Sequence, residues 1–76
     1  MKTLVELMAK SLVDKPEEVI VAVADGEKTA IFELRVAASD IGKVIGKHGK
    51  TAQAMRIIMS AVGSKLKKRC VLEILD

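Results

Sequence analysis

The chain has 76 residues, a mass of 8.2 kDa, a formal charge of +3 and a pI near 9.2; half of its residues are hydrophobic and 30% are charged. That balance excludes a disordered polar tail, and the longest apolar run, Val19 to Ala24, falls far short of the roughly 20 residues of a spanning helix. A single cysteine, Cys70, excludes an internal disulfide, and Glu6 and Asp14 stand where a secretory signal would be apolar, so a single cytoplasmic domain over 1–76 is expected.

Thr3 with Glu6 three positions on predicts a capping box opening a helix, with Leu4, Leu7 or Met8, and Leu12 on one face. Asp14-Lys15-Pro16 ends it, because the residue before proline is pushed out of the α region. Val19 to Ala24 is short and β-branched and reads as a strand. Asp25-Gly26 signals a turn, completed by Glu27 to Thr29. Ala30, Phe32, Leu34 and Val36 then alternate with Glu33 and Arg35, the pattern of a strand with one buried face.

Ser39 or Asp40 can cap a short helix over 41–45, which Gly46-Lys47-His48-Gly49 interrupts. A longer helix is expected from Lys50 to Val62, closed by Gly63 as its C-terminal cap. A basic loop leads to a last strand, Cys70 to Leu75, with Cys70, Leu72 and Ile74 on one face. The order is helix, strand, strand, helix, helix, strand. An α+β fold follows, a three-stranded sheet with the helices on one face.

The charge is unevenly spread. Residues 1–40 hold five basic and eight acidic side chains; residues 41–76 hold eight basic and two acidic ones. No acid lies between Asp40 and Glu73, whereas Lys43, Lys47, Lys50, Arg56, Lys65, Lys67, Lys68 and Arg69 do. An acid-free basic stretch suits a polyanion, and on charge alone it equally suits a solvated face.

The bend at 46–49 sharpens the choice. Two glycines three apart let the backbone turn tightly, and a sugar-phosphate chain can approach a main chain that lacks Cβ atoms. The following helix N-terminus offers unpaired N–H groups and partial positive charge. Lys47 and Lys50 add two point charges. Gly49-Lys50-Thr51 also ends like a nucleotide-binding P-loop. That motif needs a glycine where Val44 stands, and a leading strand where a short helix is predicted.

Ile45-Gly46-Lys47-His48-Gly49, set between two helices, resembles the loop of KH RNA-binding domains, whose GXXG clamps about four nucleotides of single-stranded nucleic acid. The element order is similar to the type II KH arrangement, over nearly the whole chain. A stand-alone domain of this kind resembles the bacterial KhpA/YlqC family. His48 departs from the pattern, in which that position is more often basic or amide-bearing. The resemblance implies single-stranded RNA as partner, with Gly46, Lys47, His48 and Gly49 against its backbone and Lys43 and Lys50 flanking. Among the cations of the loop before the last strand, it makes Lys65, Lys67, Lys68 and Arg69 plausible phosphate contacts. It makes Ile41, Val44 and Ile45 candidates for the groove floor or the core behind it. It also implies an RNA chaperone or post-transcriptional regulator touching cell envelope and division, self-pairing or pairing with a larger KH protein of the KhpB/Jag type. No cofactor, metal, membrane or small-molecule substrate is expected.

Phe32 is the one aromatic residue and its alternation sends it to the core, so stacking on aromatic platforms is unavailable. One histidine and one cysteine make neither a zinc site nor a catalytic pair.

The long helix is apolar over more than one face. Ala52, Met55, Met59 and Val62 form one stripe; Ala54, Ile57, Ile58 and Ala61 form another; Gln53, Arg56 and Ser60 fill the remainder. Either the N-terminal helix covers the second stripe, or that stripe is a protein–protein interface. The competing function is therefore an interaction module in which RNA binding is secondary.

Overall fold

A computed structural model describes residues 1–75. Helix α1 spans Lys2–Leu12, strand β1 Ile20–Asp25, strand β2 Thr29–Arg35, helix α2 Ile41–Ile45, helix α3 Lys50–Lys65 and strand β3 Arg69–Leu75. The fold is α+β, in the expected order. The sheet runs β1-β2-β3, with β1 antiparallel to β2 and β2 parallel to β3. A tight turn suffices for the first pairing, closed by Gly26 N–H donating to the Thr29 carbonyl at 2.8 Å. The second needs a crossover, which α2 and α3 supply.

Alternation places Ala30, Phe32 and Leu34 of β2 inside, with Leu72 of β3 and Val21 of β1 beside them. The helices cover this face with Val5, Ala9, Val44, Met55 and Met59. Leu34 and Met59 are fully buried, and truncating such a side chain to alanine costs about 2–5 kcal/mol. Of β1 only Val21 is buried: Ile20 lies on the outer sheet face, which carries no second layer, and Val23, paired with Phe32 on the inner face, is left exposed on an edge strand.

Three local readings are corrected. The Thr3 capping box is not made: α1 begins at Lys2, and Met1 is its N-cap with no side-chain cap. The earlier start lets Val5 N–H bond the Met1 carbonyl at 3.0 Å. The buried face is then centred on Val5 and Ala9, with Leu4 and Met8 half-buried and Leu7 and Leu12 exposed.

Gly63 does not end α3; the helix passes through it to Lys65. A Cβ on Gly63 would lie 2.6 Å from the Lys68 carbonyl oxygen and 3.1 Å from Cys70 Sγ, so this glycine admits the returning chain. The left-handed turn falls instead to Lys67, at φ 56°. Around it Lys67 N–H bonds the Ser64 carbonyl at 3.2 Å and Lys68 N–H bonds the Gly63 carbonyl at 2.9 Å, a Schellman closure.

Asp40 sits at the N-cap of α2 but caps nothing with its side chain. Its carboxylate is buried and accepts the backbone N–H groups of Asp14, at 3.2 Å, and Lys15, at 3.0 Å. That clasp ties the segment after α1 to the start of α2. Burial pushes the Asp40 carboxyl pKa up, but these two amide bonds and the Lys43 ammonium outweigh it and hold the pKa below the ordinary carboxylate value.

Candidate nucleic-acid interface

The bend between α2 and α3 lies at the surface. Lys47, His48 and Lys50 are exposed, and Gly46 and Gly49 are half-exposed. Gly46 has φ 78° and Gly49 φ 75°, and His48 between them also occupies the left-handed region at φ 57°. At Gly46 a side chain is impossible for a second reason: its Cβ would fall 2.1 Å from Thr51 Oγ1 and 2.8 Å from Thr51 N. At Gly49 a Cβ would meet nothing within 4 Å, so the space above that residue is open to a ligand.

The loop amides divide into two groups. Gly46 N–H donates to Gly42 at 2.9 Å, Gly49 N–H to Gly46 at 3.1 Å, and Lys50 N–H to the Lys47 carbonyl. Among the described residues, the N–H groups of Lys47 and His48 take no partner. Two free main-chain donors at an exposed bend, between the ammonium groups of Lys47 and Lys50, form an anion-binding arrangement.

Behind the bend, Val44 is fully buried in the core, Ile41 half-buried and Ile45 exposed. Of the hydrophobic residues expected here, only Val44 is purely structural.

Two of the predicted cations are held by carboxylates. Lys43 Nζ lies 3.1 Å from Asp14 and 3.5 Å from Asp40, and its hydrogen bond to Asp14 raises its pKa. Lys68 pairs with Asp25 of the hairpin turn, and the neighbouring Arg69 N–H bonds the Lys28 carbonyl at 2.8 Å. The segment before β3 is thus anchored to the β1–β2 turn. Lys65, Lys67 and Arg69 remain exposed, Lys65 on the last turn of α3 and not in the loop.

A groove of about 540 Å³ runs between α3 and the start of β3, lined among others by Arg56, Ser60, Lys67, Arg69 and Leu72. Arg56 Nη2 donates to the Leu72 carbonyl at 3.2 Å. Sequence reasoning missed this residue, taking Arg56 and Ser60 as the polar remainder of a helix. The available signal was the four-residue spacing of Arg56, Ser60 and Ser64, which sets one turn above the next on a single face.

The second apolar stripe of α3 is not covered. Ala54 and Ala61 are exposed, Ile57 is 63% exposed and Ile58 45%. Beside it, Leu7, Met8 and Leu12 of α1 and Ala54, Met55 and Ile58 of α3 line an apolar groove of about 410 Å³. Among the described residues no cluster of metal-ligating side chains occurs and no helix is long and apolar enough to cross a membrane.

The family profile for the KhpA/KhpB KH domain matches residues 2–74. Three relatives are each named RNA-binding protein KhpA. The one from Aquifex aeolicus is 53% identical, covering 100% of this chain and 96% of its own. That from Clostridium perfringens is 52% identical, covering 99% and 100%. That from Borreliella burgdorferi is 51% identical, covering 96% and 89%. No solved structure matches the chain.

Proposed function

The chain belongs to the KhpA/KhpB KH-domain family, and from that premise we propose that it grips single-stranded RNA through the bend at Gly46-Lys47-His48-Gly49. The family is a non-enzymatic one, and its relatives here are named for RNA binding. The observation that carries the reading is the pair of free amides at Lys47 and His48, raised on an exposed bend with open space over Gly49. One phosphate takes these donors. Lys47 and Lys50 neutralise its neighbours, and Lys67 and Arg69 meet the strand farther along the groove. Lys43 and Lys68, each already paired with a carboxylate, contribute less than their position in sequence implies.

With no aromatic platform, bases are held by van der Waals contact and hydrogen bonds, and affinity for one copy is modest. Such a grip suits an RNA chaperone or post-transcriptional regulator working in the cytoplasm. The double substitution Lys47→Asp with His48→Asp tests it: fluorescence anisotropy on an eight-nucleotide RNA loses all binding while the circular dichroism spectrum stays unchanged. Retained crosslinking at the wild-type level overturns the groove assignment.

A second reading concerns the uncovered stripe. Ala54, Ile57, Ile58 and Ala61, continued by Leu7 and Leu12, form an apolar surface that favours pairing with another copy or with a larger KH protein of the KhpB/Jag type. Pairing sets two weak RNA sites on one body and raises overall binding through effective concentration.

A further inference from the structure

Building on the RNA reading above, we infer that Arg56 selects the base that enters the groove between α3 and β3, favouring one that presents two adjacent hydrogen-bond acceptors. Strand β3 pairs with β2 on one side only, so its other edge faces the groove. Arg56 reaches this edge and fixes one of its five N–H groups on the Leu72 carbonyl. The tether orients the planar guanidinium beside the groove floor. Among the described residues no carboxylate pairs with Arg56, so its remaining donors are available to a ligand.

Position argues for a base rather than a phosphate. The loop amides with Lys47 and Lys50 already form an anion site, and Lys67 and Arg69 are further exposed cations of the groove. Arg56 lies six residues beyond Lys50, about 9 Å along the helix at 1.5 Å per residue. Leu72, whose carbonyl it holds, is a core residue at the base of that wall. A flat ring entering here edge-on meets a fork of donors. Two parallel N–H groups match guanine through O6 and N7, or cytosine through O2 and N3. Adenine and uracil alternate donor and acceptor along their edges and satisfy only one prong. The shared chemistry is thus an adjacent acceptor pair, carried by guanine or cytosine.

The test uses the full chain and four RNAs: an eight-nucleotide oligouridylate, and the same oligomer with one central guanine, cytosine or adenine. Anisotropy at fixed salt is expected to give about 5- to 150-fold tighter binding for the guanine or the cytosine oligomer, the discrimination typical of a bidentate pair. The two oligomers identify which base is taken. Arg56→Lys keeps the charge but removes the fork, and Arg56→Gln removes both; in each the four affinities converge to within about twofold. Three results overturn the inference while leaving the RNA reading intact: equal wild-type binding of all four, persistent preference in Arg56→Lys, or a uniform loss that assigns Arg56 to phosphate. Failure of the wild type to bind any of the four overturns both.

Discussion

The two grooves that flank α3 share one wall and have opposite chemistry. Toward β3 the helix presents Arg56, Ser60 and Ser64, and the facing segment adds Lys67 and Arg69. Toward α1 it presents Ala54, Met55 and Ile58 against Leu7, Met8 and Leu12. A third face, with Ala52, Met55, Met59 and Gly63, is buried. An ordinary surface helix divides into one apolar stripe and one solvated face. Here 16 residues serve a core and two surfaces, which explains why the helix is apolar well beyond its buried stripe. The difference teaches that the two surfaces answer to different forces, Coulombic on one side and hydrophobic on the other, and can be disturbed one at a time.

The largest effect is expected at Ile58. Replacing it by Asp places a carboxylate in the apolar groove and should weaken self-association by about 100-fold or more in sedimentation, since a buried unpaired charge is costly. Affinity for an eight-nucleotide RNA should stay within about twofold; a parallel loss would break the separation of the grooves. Next comes salt. With two to four phosphates neutralised at a slope of about −0.7 each, RNA affinity falls roughly 7- to 50-fold between 50 and 200 mM salt. Self-association should hold or strengthen over the same range in equilibrium sedimentation.

Gly63→Ala sharpens the comparison at the far end of the cationic groove. In an exposed helix interior this change gains up to about 1 kcal/mol. Here the new Cβ meets the Lys68 carbonyl, and overpacking should reverse the sign to a loss of about 1–3 kcal/mol in urea unfolding. The smallest effect at neutral pH concerns Asp40. Its folded-state pKa is depressed, so its contribution is complete above the unfolded value and is lost as pH falls through the folded one. Melting temperature plotted against pH should therefore drop below about pH 4, and Asp40→Asn should flatten that acid limb.

Element order was readable because each pattern is local: alternation around Phe32, β-branching at Val19 to Val23, glycines at 46 and 49. The core assignment of Phe32 and Leu72 followed from the same alternation. What escaped depends on partners remote in sequence. Lys43 and Lys68 look free along the chain, and only folding brings Asp14 and Asp25 to them. Asp40 has the composition of a helix cap, yet two amides from the segment after α1 offer its carboxylate a better-satisfied site. Gly63 resembles a helix stop until the return of residues 68–70 is seen to need its missing Cβ. Whether the second stripe of α3 would be covered was a question of inter-helix geometry; the exposure of Ile57 and Ile58 answers it for the single chain.

The mixed sheet also joins its strands over two very different sequence separations. The β1–β2 ladder closes across the three residues between Asp25 and Thr29, whereas the β2–β3 ladder joins residues such as Thr29 and Arg69, forty positions apart. Distant pairings lower the folding rate, because the closure entropy is lost before any contact rewards it. The groove walled by β3 therefore rests on the costlier closure, and without it the glycine bend would have no channel beside it.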